Sequence, residues 1–198
     1  MTSSHSAERR RWLAWPLLLC LLLWQPACAT TSRLTAADTA AIDRLLALVV
    51  ERLAVAPDVA RTKWNTKAAI EDPVREDQIV RGVGASAADA GVPRETAERF
   101  FRAQIEASKV VQRELFARFE ASHQPPFPAV ADLNATVRPT LDRLTPEMLH
   151  ALGSALPALG AHNGRSALQA HSRRLNLPLN VSRAALDVAL EPLWSAQR

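Results

Sequence analysis

Between Ala36 and Ala54 the apolar residues Ile42, Leu45, Leu46, Val49 and Leu53 recur three and four apart, which lines one face of a helix and predicts an α-helix over that stretch. Arg52 breaks the pattern, standing beside Leu53 and three residues after Val49, at the end of the stripe rather than opposite it. Burying an unpaired guanidinium costs several kcal/mol, so Arg52 either reaches past the stripe to solvent or meets an anion. Pro57 interrupts or restarts the helix, and a shorter one carries "DVARTKWNT". Asp72 as N-cap and Pro73 at the first helical position then start a helix running to about Ala90, where Gly91 stops it. Pro93 opens a long helix through about Ser122, and the dense prolines of "HQPPFPA" form a linker. From Asp132 onward three or four further helices are expected, with Thr145-Pro146 and Asn180 to Ser182 as starts. On the last of them Leu186, Leu190 and Leu193 share a core-facing stripe.

No run of β-branched residues alternates over a strand's length, alanine and leucine abound, tyrosine is absent and only 6 glycines occur. The expected fold class is therefore all-α, a single helical-bundle domain of about six helices.

The N-terminus belongs outside that bundle. Arg9 to Arg11 precede the apolar run Trp12 to Trp24, too short to span a membrane, and Ala27-Cys28-Ala29 offers the small residues of a signal-peptidase site. Residues 1–29 read as a signal peptide cut after Ala29, leaving a periplasmic or secreted chain with no stable membrane anchor. A lipoprotein modified at Cys28 is the alternative, disfavoured by Gln25-Pro26, and the arginine run also allows twin-arginine export. Residues 30–198 then form one domain, large enough for a real core. Both cysteines, Cys20 and Cys28, fall before the cut, which removes disulfides, thiol nucleophiles and cysteine metal sites. The formal net charge of +4 falls to about +2 without the leader, so bulk charge gives no argument for nucleic acid.

Polar residues then recur where apolar ones are expected. Phe101, Ile105, Val111, Leu115 and Phe119 define the apolar face of the long helix, and Gln104, Ser108 and Gln112 recur on it at intervals of four. A polar ladder in a core needs partners, either other side chains or a polar ligand held between helices. Trp64 and Ile70 should pack inward near Lys63, while Arg75 and Glu76 lie in the first turn of the helix that Asp72 caps. Alone, Arg75 and Glu76 are ordinary surface charges. Together with Arg52, Lys63, Ser108 and Gln112 they make a set of cations and neutral donors suited to a small, multiply anionic ligand. Lys109, one residue past Ser108, reads as a surface charge pointing off that face. His123, His150, His162 and His171 are scattered and read as solvent-facing, and no metal-ligand cluster emerges. Asn134-Ala-Thr136 and Asn180-Val-Ser182 match the glycosylation pattern, and both asparagines read as turn or cap residues.

"ERLAVAPDVARTKW", "EDPVRE", "RFFRAQIEASKVVQRELF" and "DLNATVRPTLDRL" resemble, in order and spacing, the all-helical (AroQ-type) chorismate mutases. The leader and extra C-terminal helices resemble their secreted, γ-class branch. The likeness covers about Leu45 to Leu144; residues 145–198 match only in being helical. The resemblance implies pericyclic rearrangement of chorismate to prephenate, with no cofactor, no metal and no covalent intermediate. Such a reaction needs a dianion held in its compact conformer and donors aimed at the ether oxygen where negative charge grows. By resemblance Arg52 and Arg138 bind the two carboxylates, Lys63 reaches a carboxylate and the ether oxygen, and Gln112 donates to that oxygen from the other side. Arg75 helps hold a carboxylate, Glu76 accepts from the ring hydroxyl, Ser108 bonds near a carboxylate, and Asp72 caps and orients the turn. In the shorter relatives a partner chain supplies the arginine equivalent to Arg138, so the extra length argues for a self-contained site, with a homodimer allowed but not required. An isochorismate-pyruvate lyase on the same fold and a non-catalytic periplasmic anion-binding module are the competing readings.

Overall fold

The computed structural model describes residues 34–195, so the expected signal peptide, its cleavage site and both cysteines lie outside the described residues. The described residues form seven α-helices within one compact unit: α1 (Ala36–Ala54), α2 (Ala56–Thr66), α3 (Pro73–Ser86), α4 (Arg94–Ala121), α5 (Arg138–Gly160), α6 (Gly164–Arg174) and α7 (Arg183–Trp194). The all-α expectation stands. α1 begins at a capping box in which the Thr35 hydroxyl accepts from the Asp38 N–H and the Asp38 carboxylate accepts from the Thr35 N–H. Its expected stripe is fully buried. α2 follows after one residue, Val55, because Pro57 in its first turn has no N–H to continue α1.

α4 is the spine of the bundle. It lies along α7 on one side and against α3 and α2 on the other, while α1 pairs with α5. Phe100 and Phe101, stacked edge to face with centroids 5.5 Å apart, are both fully buried; the sequence pattern picked out Phe101 alone. Each contributes roughly 1.5–3 kcal/mol of apolar burial.

Two boundaries differ from expectation. α3 stops at Ser86 rather than near Ala90, and a 3₁₀ turn (Ala88–Ala90) leads to Gly91 in the left-handed region at φ 67°. The turn is tight because α5 passes close by: a Cβ at Gly153 would lie 2.1 Å from the Ala90 carbonyl oxygen. Thr145-Pro146 does not start a helix, since α5 runs through it. Pro146 removes one helical hydrogen bond, at a cost of about 3 kcal/mol. Leu144, Met148, Leu149 and Leu152, all buried around that turn, return about 1.5–3 kcal/mol each and keep the helix continuous. Asn180 to Ser182 does start a helix, the Ser182 hydroxyl accepting from the Ala185 N–H, and Leu186, Leu190 and Leu193 are core.

The linker between α4 and α5 is strapped to α2. Asn65 and Phe127 exchange two hydrogen bonds of 2.8 Å, the Thr62 hydroxyl donates to Ala131 O at 2.8 Å, and Trp64 Nε1 donates to Gln124 O at 3.1 Å. Trp64 meanwhile packs edge-on against Phe116 and Phe119, and Phe127 packs against Phe119. The strap delivers the chain to a π-helical turn (Leu133–Val137), capped by Asp132, whose carboxylate accepts from the N–H groups of Asn134 and Ala135. α5 follows without a break and begins with Arg138.

Candidate active site

A cavity open to solvent lies among α1, α2, α3, α4 and the start of α5. Its lining includes all eight residues singled out from the sequence: Arg52, Lys63, Asp72, Arg75, Glu76, Ser108, Gln112 and Arg138. Ile70, Ile79, Ile105, Val137 and Leu141 supply apolar wall.

Arg52 is 6% exposed and does not escape to solvent, which overturns the first of its two expected fates. It forms no hydrogen bond or ion pair with a described residue, and its Nε is buried without a partner. Burial alone lowers its pKa to about 10. A charged group left dry and unpaired at a cavity wall is the signature of a site built for an anion.

Lys63, half-buried on α2, donates to the Ile70 carbonyl at 2.6 Å, which draws the α2–α3 connection inward and holds the ammonium at the wall. Burial lowers its pKa; Asp72, Glu71 and Glu76 act against that, and Lys109 adds to it. Across the cavity the Gln112 amide, 4% exposed, donates through Nε2 to the Ser108 carbonyl and hydroxyl, both at 3.2 Å, while its Oε1 is buried without a partner. Rotating the amide by half a turn would let Oε1 accept from the Ser108 hydroxyl and present the NH₂ to the cavity.

The first turn of α3 carries the rest. Asp72 accepts from the Arg75 N–H at 3.2 Å, and its own N–H donates to Glu76 Oε1 at 3.0 Å. The Arg75 guanidinium, half-buried, has no partner among the described residues. Arg138 is exposed at the rim, where it donates to the Asn134 side chain. One chain thus brings Arg138 and Arg52 to the same cavity.

The ladder on α4 divides. Gln104 is fully buried and donates to the Ala189 carbonyl of α7 at 2.7 Å, so it joins helices, whereas Ser108 and Gln112 face the cavity. Lys109 is a correction: it is 7% exposed rather than a surface charge, lines the cavity, and pairs with Glu76 at 3.0 Å and Glu106 at 2.5 Å. The signal was present, since Lys109 follows Ile105 by four residues and precedes Gln112 by three, which sets all three on one side of a helix. His171 is a second correction, half-buried with Nδ1 2.5 Å from Asp43 Oδ1. Of the glycosylation-like asparagines, Asn180 is a left-handed turn residue, whereas at Asn134 the capping is done by Asp132.

Arg52, Lys63, Arg75, Lys109 and Arg138 face Asp72 and Glu76 across this space, so the wall carries an excess of positive charge suited to a small dianion. Among the described residues no group of His, Cys, Asp and Glu could hold a metal, and no helix is long and apolar enough to cross a membrane.

The family described as chorismate mutase type II matches residues 37–113. The crystal structure of chorismate mutase from Burkholderia thailandensis is 36% identical, superposes with a TM-score of 0.72, and is matched over 98% of its length by 77% of this chain. The chorismate mutase of Burkholderia phymatum is 28% identical at a TM-score of 0.71, covering 98% of that chain and 79% of this one. The secreted chorismate mutase of Mycolicibacterium smegmatis is 28% identical over 129 residues, 65% of this chain and 71% of that protein.

Proposed function

This chain belongs to the chorismate mutase type II family and is a chorismate mutase, and from that premise we propose how its cavity performs the reaction. The observation that carries the reading is Arg52, a buried guanidinium with no protein partner, facing a cavity rich in cations and neutral donors.

Chorismate is a flexible dianion, and its rearrangement requires the enolpyruvyl side chain to fold over the ring. Arg52 at the floor and Arg138 at the rim take one carboxylate each, with Arg75 and Ser108 assisting, so that the compact conformer is the one bound. As the C–O bond breaks, negative charge grows on the ether oxygen. Lys63 from α2 and Gln112 from α4, with its amide turned to present the NH₂, donate to that oxygen, and donors already held at the cavity wall lower the barrier because little reorganisation remains. Glu76 accepts from the ring hydroxyl, with Asp72 holding the turn that aims it. No proton is transferred and no covalent bond to the protein forms.

The cation at Arg138 comes from the same chain, which supports a site complete in one polypeptide of residues 30–198, with dimerisation unnecessary for chemistry. The leader pattern, together with the secreted relative, supports export to the periplasm or the medium after cleavage near Ala29.

The test is to offer chorismate and isochorismate in parallel. Prephenate formed from chorismate, with no pyruvate released from isochorismate, is the expected result. The opposite preference would replace the mutase with a lyase.

A further inference from the structure

We propose that Lys109 is a positioning residue for the reaction: from α4 it grips Glu76 and holds that carboxylate, as an aimed hydrogen-bond acceptor, at the cavity wall. The inference rests on the reading that Glu76 receives the ring hydroxyl and goes beyond it by assigning the group that makes such a carboxylate workable.

A carboxylate is an awkward choice in a site that binds a dianion, because each substrate carboxylate that enters pushes Glu76 toward protonation or away from the wall. The structure meets both problems at once. Glu76 Oε1 accepts from the Asp72 N–H and Oε2 from Lys109 Nζ, each at 3.0 Å, so both oxygens are fixed and a lone pair on each remains for substrate. The Lys109 side chain is 9% exposed and that of Glu76 23%, so water screens the pair only weakly. Glu106, one turn back on α4 and half-exposed, holds Lys109 from the other side at 2.5 Å. The ammonium is thereby pinned between a structural carboxylate and a functional one.

The surrounding charges fix the direction of the electrostatic effect. Facing the pair are Lys63 from α2, Glu71 and Asp72 from the connection, Arg75 on α3, Glu106 and Arg113 on α4, and Arg52 and Arg138 across the cavity. Burial would raise the Glu76 pKa, but the Asp72 N–H and Lys109 outweigh it and keep the carboxyl below its usual range. Burial would lower Lys109, but Glu106 and Glu76 outweigh it and raise it. Lys109 also helps to depress Lys63. Removing the Lys109 charge therefore moves both limbs of the pH profile upward, the acid limb through Glu76 and the alkaline limb through Lys63. Loosened packing alone would not do this.

The experiment measures kcat and KM for chorismate against pH in the purified protein and in Lys109→Met, Lys109→Arg, Glu76→Gln and the double variant Glu76→Gln/Lys109→Met. In Lys109→Met, kcat/KM should fall about tenfold near neutrality, with the acid limb displaced upward by about one pH unit, as for loss of an opposite charge within 4–6 Å, and the alkaline limb displaced upward by less. Lys109→Arg should hold the limbs at their original positions. In the Glu76→Gln background, Lys109→Met should cost less than about twofold, since its effect passes through Glu76. Multiplying losses in the double variant, unmoved limbs, or a Lys109→Met enzyme equal to the parent would each overturn the proposal. Should Lys109→Met fail to fold, Lys109→Gln, which keeps a donor without the charge, is judged by the same limbs. A parent protein that does not turn over chorismate would instead refute the mutase reading itself.

Discussion

Asn65 on α2 and Phe127 in the linker, 62 residues apart, exchange a pair of 2.8 Å hydrogen bonds that lay the linker across α2 and carry Arg138 to the cavity rim. The contact works through backbone position, since neither residue lines the cavity. Asn65→Ala removes both bonds, at about 1 kcal/mol each. It should raise KM for chorismate about three- to tenfold with a smaller change in kcat. A variant with unchanged KM would show that the strap does not position the rim.

Arg138 tests the rim directly. Arg138→Ala should lower kcat/KM at least tenfold, the roughly 1.4 kcal/mol or more expected of a charge-assisted contact. Steady-state kinetics on a variant with unaltered circular dichroism decide it, and near-normal values would remove Arg138 from the site.

Arg52 separates function from stability. Its guanidinium is buried without a partner, so in the unliganded protein it costs stability that a neutral side chain of similar length would not. Arg52→Met should therefore keep or raise the Tm while lowering kcat/KM by about a hundredfold or more, as expected for loss of a buried charge contact to substrate. A large fall in Tm would mean that the charge supports the fold instead.

The pH profile follows from the groups that line the cavity. Gln112 donates in any protonation state, so activity should be roughly flat through neutral pH, and a steep loss between about pH 5 and 7 would count against its role. At the alkaline end burial has lowered the pKa of Lys63 below the ordinary lysine value and that of Arg52 to about 10. Both cations lose charge on raising the pH, so kcat/KM should decline as pH rises toward and past 10. Stability moves the other way at Arg52. Folding disfavours its charged form, a cost present below about pH 10 that fades as pH rises from there toward the ordinary arginine range. A pH series of kcat/KM measured beside Tm separates the two.

Much of this architecture was legible in the sequence, for local reasons. The stripe of α1, the Asp72-Pro73 start of α3 and the Pro93 start of α4 are set by helical spacing and capping chemistry within a few residues. What escaped depends on distant partners. Pro146 marked a helix start until the burial of Leu144, Met148, Leu149 and Leu152 carried α5 through it. Lys109 shares a side of α4 with Ile105 and Gln112, which the sequence does show, but its partner Glu76 comes from α3, whose packing over that side is not written in α4. Gln104 and Gln112 look alike on the ladder, yet the Ala189 carbonyl of α7 claims one and the cavity the other. The strap from Thr62, Trp64 and Asn65 to the linker, which decides where Arg138 stands, joins side chains to backbone groups more than 50 residues away and leaves no trace in periodicity.

The decisive measurement follows the loss of chorismate absorbance by the purified protein, identifies the product, and repeats both with Lys63→Ala. Prephenate is the expected product, with kcat lowered about 10²–10³-fold in a variant that remains folded, the loss typical of removing a preorganised donor at developing negative charge. Prephenate formed as fast without the Lys63 ammonium, or a folded parent protein that leaves chorismate untouched, would contradict this mechanism.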